Sequence, residues 1–426
     1  MNDQLRALCA FLDESHSFYH ATAAVARWLG DAGYTRLDES APWAPVPGGK
    51  YYTIRHDSAL LAFRIPEAAP TGYLMSASHS DRPTFLVKEN GELKSQDTRL
   101  ATERYGGMLI YPWLDRPLSI AGRAMVETAQ GVESRLIDID QDLCLIPSVA
   151  IHMDRNANDG RKWDPSADTL PLLGSKTAAG KLEQLLEQAA GGKILAHDLY
   201  LYVRQKATVW GIDEEYLSAP GLDDLECVWG CAQGFLKAAP SRSIPVLCVF
   251  DSEEVGSSSA QGADSTLLSD TLARISRSLG LDHDCMLANS FMVSADNAHA
   301  RHPNHPELSD PTNAPTLGGG VVIKINANQS YTSNALSAAI FRKICAQAQV
   351  PTQSFYNRAD LRGGSTLGRI SLNHVSVPSV DIGLAQLAMH SSYETASAAD
   401  PIHLENAMTA YYSTTLTAME TGYTIE

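Results

Sequence analysis

The residues of this chain best suited to chemistry are histidines and carboxylates that end apolar runs. His79 and Asp81 stand in SASHSDRPTF, directly after the apolar run Tyr73–Met75. Asp223 lies in APGLDDLE, Glu253 and Glu254 follow IPVLCVF, Asp296 follows FMVSA, and His390 lies in LAQLAMHSS shortly after VPSVDIGL. Two imidazoles and three carboxylates are the donor types that bind paired divalent zinc, manganese or cobalt ions, with one carboxylate bridging ions about 3.5–4 Å apart. Neighbouring residues on a turn can point in different directions, so one of the adjacent glutamates can ligate a metal while the other holds the attacking water. A carboxylate beside a metal-bound water is a suitable general base. Asp81 would accept the second ring N–H of His79 and fix its tautomer.

Each of these residues also has a plain reading. Asp223 alone could cap a helix, Glu253 and Glu254 could be a solvated turn, and Asp296 and His390 could be satisfied polar groups at strand ends. The plain readings weaken when the elements are placed. Residues 1–87 read as α/β, with amphipathic helical stretches near 3–13 and 19–32 before the strand-like LLAFRI and YLMSAS. From about residue 213 the alternation resumes, through the helix-like LDDLECVWGCAQGFLKAA, the runs IPVLCVF, SFMVSAD and VVIKIN, helices near 265–279 and 333–348, and VPSVDIGL. Strands alternating with helices predict a mostly parallel sheet flanked by helices, whose ligands bind at the carboxyl ends of the strands. All five places are expected at that one edge. Residues 88–212 differ: short alternating runs, Gly-rich and Pro-rich turns and one helix-like piece near 180–191 predict an inserted β-rich domain, with the α/β domain discontinuous around it.

Composition excludes other classes. A chain of 426 residues with 44% hydrophobic and 19% charged residues builds a large folded core. No apolar run approaches the roughly 18–20 residues needed to cross a bilayer, so no membrane partner is expected. The N-terminus lacks the pattern of a secretory signal, and a cytoplasmic protein is expected. Seven scattered cysteines without a CxxC pair argue against a disulfide framework or a structural zinc knuckle. A formal charge of −16 is a poor surface for nucleic acid.

Eight stretches, in order, resemble the motifs of the aspartyl aminopeptidase family of dinuclear metallopeptidases, which includes vacuolar aminopeptidase I. They are SHSDRPTFLVK, YGGMLIYPWLDRPLSIAGR, IPSVAIHMDRNAND, SAPGLDDLECVWG, FDSEEVGSSSAQGA, FMVSADNAHARHPN, VVIKINANQSYTSNA and QLAMHSSYE. The resemblance implies a zinc-peptidase-like α/β domain with an inserted dimerisation domain, assembled into dimers and a tetrahedral dodecamer. It implies that His79, Asp223 and Asp296 hold one divalent ion and that Asp223, Glu254 and His390 hold the other. Asp223 bridges in that scheme, and Glu253 is the base. His302 would steady the substrate carbonyl, and His152 would be presented to the site of a neighbouring subunit. Lys324 matches a family lysine linked with acidic side-chain recognition; alternatively it snorkels to solvent. The chain departs from the family at Arg82, where a small residue is usual, and at Arg362 and Gly363, where Pro-Cys is common. Either arginine could face the pocket that reads the peptide's first side chain.

The resulting expectation is a metalloprotease of the aminopeptidase type, carrying two zinc ions with manganese or cobalt as alternatives. It would release an N-terminal residue, preferably Asp or Glu, from short peptides with a free N-terminus. The same chemistry with broad or neutral specificity, and an inactive oligomeric scaffold, are the competing readings.

Overall fold

The strands Tyr73–His79 and Ile244–Phe250 are buried at every position, as a strand must be when both faces of its sheet are covered. In the computed structural model, which describes residues 1–361, 363–364 and 366–426, they are the centre of a nine-stranded sheet. Its strands in chain order are β1 (Thr35–Arg36), β2 (Lys50–Arg55), β3 (Ala59–Arg64), β4 (Tyr73–His79), β5 (Ile244–Phe250), β6 (Phe291–Ala295), β7 (Val321–Lys324), β8 (Thr352–Phe355) and β9 (Ser379–Gly383). They lie in the order β1-β2-β3-β5-β4-β6-β9-β7-β8.

The four central strands β5, β4, β6 and β9 are mutually parallel. Either side of them the sheet is mixed. β2 and β3 form an antiparallel hairpin because His56 and Asp57 between them both take left-handed backbone angles, φ 51° and 62°, the conformation a tight hairpin turn requires. β7 runs antiparallel to β9. Alternate residues of one strand serve two cores. Leu74, Leu247 and Val249 pack with the helices Leu222–Lys237 and Asp400–Ser413 on one face, while Met75, Val246 and Cys248 pack with the helix Leu267–Ser278 on the other.

A second, six-stranded antiparallel sheet draws on residues from Thr84 to Val203 and has its own core, closed by Leu182, Leu186 and Ala190 of the helix Lys181–Ala190. Its first strand begins just after Asp81, so the chain passes from the end of β4 directly into it. A third sheet has the strand order Thr208–Trp210, Tyr216–Ala219, Glu394–Ser397, Ala385–Leu387, Ala298–His299. Thr208–Trp210 falls on the inserted side of the division expected at residue 212, but it pairs with Tyr216–Ala219 in this small sheet. A three-residue strand is too short for its pattern to announce its partner. Among the described residues no helix is long and apolar enough to cross a membrane.

Candidate metal centre

The expected residues do not all come from the edge of one sheet. His79 ends β4, the Glu253–Val255 turn follows β5, and Asp296 follows β6. Asp223 and His390 belong to the small sheet, following Tyr216–Ala219 and Ala385–Leu387. The centre is therefore assembled where the two sheets meet.

On the large-sheet side Asp81 is the organiser. The Nδ1 of His79 lies 3.1 Å from the Asp81 carbonyl and 3.3 Å from its Oδ1. The same carboxylate accepts the backbone N–H of Glu253 on Oδ1 (3.0 Å), that of Glu254 on Oδ2 (3.1 Å), and the Tyr105 hydroxyl on Oδ2 (2.8 Å). Asp81 thus ties His79 to the Glu-Glu turn, a wider task than orienting an imidazole. The turn opens at Ser252, whose φ of 66° reverses the chain and whose N–H donates to Asp251 Oδ1 at 2.6 Å.

On the small-sheet side the Nε2 atoms of the two histidines approach opposite oxygens of one carboxylate. His79 Nε2 lies 3.6 Å from Asp223 Oδ1, and His390 Nε2 lies 3.6 Å from Asp223 Oδ2 and 3.4 Å from Glu254 Oε2. His390 donates from Nδ1 to the Gly107 carbonyl (2.6 Å), which leaves Nε2 free for a cation. Asp223 does not cap the helix that follows it: no backbone N–H of the first turn donates to its carboxylate, and its buried Oδ1 has no hydrogen-bond partner.

These residues fit a metal. His79, Asp223 and Glu254 offer ligand atoms that all lie within 4.8 Å of one another. Asp223 Oδ1 and Glu254 Oε1 are buried without a hydrogen-bond partner, a costly state unless a cation occupies the space between them. The field points the same way. Burial pushes the Glu253 carboxyl up to about 8, and burial beside Asp223 does the same to Glu394. Burial alone would lower His390, but Asp223 outweighs it and raises the imidazole to about 9. Among the proposed ligands Glu254 is likewise pushed up, by burial and by the Asp223 carboxylate, a repulsion that a divalent ion between the two would offset.

The other expected residues divide. Asp296 is buried, and Lys324, 2% exposed, holds it. The ammonium lies 3.3 Å from Asp296 Oδ1 and donates to the carbonyls of Asp296 (2.6 Å) and Asn297 (3.1 Å). Lys324 therefore does not snorkel to solvent, and its three donors have acceptors. His302 lines a cleft with His299, Asn357, Gln386 and Met389, the last being the neighbour of His390. Arg82 shares a narrow cleft with Gly221, Ser392 and Glu394. It packs so closely on Gly221, itself left-handed at φ +66°, that a Cβ there would lie 2.6 Å from the arginine. His152 sits on an exposed turn between Ile151 and Met153 and makes no hydrogen bond among the described residues. Arg362 lies outside the described residues.

Four contributors had not been singled out. Tyr105 supports Asp81, and Gly107 supports His390. At Gly106, φ +76°, any Cβ would come within 3.1 Å of the Glu254 Cβ. The Gly-Gly pair after a strand-like run was the available signal, since glycine often marks a close backbone approach. Glu394 accepts the N–H of Asp223 on Oε2 (3.0 Å) and that of His390 on Oε1 (2.7 Å). No spacing rule points to it.

Known proteins are similar to this chain in sequence and fold. The profile of the family described as "Aminopeptidase I zinc metalloprotease (M18)" matches residues 11–412. A Clostridium novyi (strain NT) protein named "Probable M18 family aminopeptidase 2" is 40% identical over 422 residues, spanning 95% of this chain and 98% of that protein. Among solved structures, one from the cryo-EM structure of the Ape4 and Nbr1 complex superposes with a TM-score of 0.93 at 32% identity, covering 96% of this chain and 85% of that one. The S. cerevisiae mApe1 dodecamer superposes at 0.85 with 25% identity, covering 96% of each chain. With nearly all of its length matched in sequence and fold, and its carboxylates and imidazoles converging as a metal site requires, this chain belongs to the aminopeptidase I zinc metalloprotease (M18) family of peptide hydrolases.

Proposed function

We propose that this protein is a dinuclear metallo-aminopeptidase that releases the N-terminal residue of short peptides. His79, Asp223 and Asp296 would hold one ion, and Asp223, Glu254 and His390 the other. The two imidazoles on opposite oxygens of Asp223 are the observation that carries this reading, because a bridging carboxylate needs one partner set per oxygen. Divalent ions held there supply Lewis acidity, polarising a carbonyl and lowering the pKa of water.

The protein's own groups do the rest. Glu253 is fixed through its backbone by Asp81, while its carboxylate makes no hydrogen bond among the described residues. It is free to take a proton from water and return it to the leaving amine. His302, in the cleft that reaches Met389, would donate to the oxyanion developing on the substrate. His152 would reach the site of a second subunit from its exposed turn. Val149, Ile151 and Met153 around it are exposed, Met153 by 83%, as expected of a surface covered by self-association. The dodecamer of the similar mApe1 supports an assembly of the same order here.

Preference for an N-terminal Asp or Glu rests on Lys324, the buried cation beside Asp296. A specific observation favours neutral or broad specificity instead: the donors of Lys324 are already engaged, and Arg82 lies against Gly221 and Glu394. Hydrolysis of Glu, Asp, Leu and Ala arylamides by the purified protein decides between them, run before chelation, after it, and after adding back zinc, manganese or cobalt. Substitution Glu253→Gln is expected to keep metal content and lower turnover by about 10²–10⁴-fold; wild-type turnover would refute the assignment of the base.

A further inference from the structure

We propose that Glu394 is a positioning residue that fixes the spacing of the metal centre by clamping the backbones of Asp223 and His390 together. The inference rests on the metal-centre reading above and goes beyond it, because Glu394 points neither oxygen at a metal position. Each oxygen accepts one backbone N–H: Asp223 at 3.0 Å and His390 at 2.7 Å.

The topology gives the residue this reach. Glu394 opens the strand Glu394–Ser397, which lies between Tyr216–Ala219 and Ala385–Leu387 in the small sheet. Asp223 follows the first of these neighbours and His390 the second. Ala219 pairs with Glu394, and Leu387 pairs with Thr395, so the start of the middle strand lies between both ligand loops. Neither ligand is held by regular structure. Asp223 is non-helical at the head of its helix, and His390 has a left-handed φ of 65°. Their N–H groups have no ladder partner and would be orphaned without an acceptor. At 1% exposure the Glu394 side chain is out of reach of bulk solvent. Two donors converging from opposite sides need two acceptor oxygens on one rigid group. A carboxylate provides them, and an amide turns an N–H₂ toward one of the two donors.

A comparable arrangement elsewhere provides the control. Asp400, at the head of the helix Asp400–Ser413, accepts the N–H groups of Gly318 (2.8 Å) and Gly320 (2.9 Å), neither of which is at the metal centre. If Glu394 merely satisfies buried donors, Glu394→Gln and Asp400→Asn should behave alike. If it spaces the ligands, only Glu394→Gln should alter metal binding.

The experiment uses the full chain stripped of metal by chelation. It is titrated with Co(II), whose visible absorption reports coordination, and with zinc against a competing chelator. The expected result is that Glu394→Gln weakens metal affinity by about 10–100-fold, the usual effect of losing a group that orients ligands. Its Co(II) spectrum should be altered, and excess metal should restore turnover. Asp400→Asn should lower the melting temperature while titrating like wild type. Glu394→Gln titrating like wild type, or both variants losing affinity equally, overturns the clamp while leaving the metal centre standing. Wild-type protein that takes up no metal overturns the metal centre itself, and the clamp with it. Should Glu394→Gln fail to fold, Glu394→Asp keeps both oxygens one methylene short. It should show a smaller shift in the same direction, and wild-type affinity in that variant again overturns the clamp.

Discussion

The two halves of the metal centre are held by the same device built in different ways. On the large sheet, Asp81 accepts the N–H groups of Glu253 and Glu254. On the small sheet, Glu394 accepts those of Asp223 and His390. Each carboxylate spends both oxygens on backbone donors of residues that face the centre. The difference lies in what else each touches. Asp81 also lies beside the His79 ring and receives the Tyr105 hydroxyl, so it couples the proposed ligand His79, the proposed base Glu253 and the six-stranded sheet. Glu394 accepts hydrogen bonds only from the backbone N–H groups of the two proposed ligands, Asp223 and His390. Loss of Asp81 should therefore damage both metal retention and the proton-transfer step, whereas loss of Glu394 should damage metal retention alone.

The largest effect is expected where the two halves share no ligand. Glu253→Gln should lower kcat by about 10²–10⁴-fold with both ions retained, the range that a positioned base contributes; metal analysis beside the kinetics checks it. Asp81→Asn comes next. Its amide cannot accept both N–H groups of the Glu-Glu turn, so metal affinity should fall by about 10–100-fold. Saturating metal should fail to restore kcat, because the backbone of Glu253 remains loose. Glu394→Gln should match that loss of affinity yet regain kcat at saturating metal, and identical kinetics for the two variants would erase the distinction drawn here. Smallest at the centre is Asp400→Asn. It should cost about 1–3 kcal/mol of stability in thermal or denaturant unfolding for an unsatisfied buried donor, with metal affinity unchanged.

How much of this was legible follows from how local each arrangement is. His79 and Asp81 could be paired from the sequence because they end a strand two positions apart, where alternation and the carboxyl edge fix their neighbourhood. The Glu253–Glu254 pair was legible for the same reason. Asp223 and His390 were found by residue type but expected on the wrong frame. The small sheet that carries them is built from strands of two to four residues, too short to leave a periodic pattern. Glu394 closes the motif QLAMHSSYE, yet no role could be read for it there, since accepting two backbone N–H groups requires no characteristic residue type or spacing. Lys324 was noticed as a cation, yet its burial against Asp296 depends on the packing of β7 beside β9.

By itself the sequence determined the donor types, the parallel centre of the large sheet and the contrast in texture between the α/β parts and the β-rich stretch. These rest on residue chemistry and on periodicities of two and 3.6, which neighbouring residues express without help from the rest of the chain. Only the tertiary structure decided that the centre lies between two sheets, that the end of the strand Asp97–Tyr105 in the six-stranded sheet brings Tyr105 and Gly107 to it, and that Lys324 faces inward. Those outcomes join residues that no local periodicity connects, some of them more than a hundred positions apart, such as Asp223 with Glu394 and Gly107 with His390. Their contact energies exist only once the whole chain has closed.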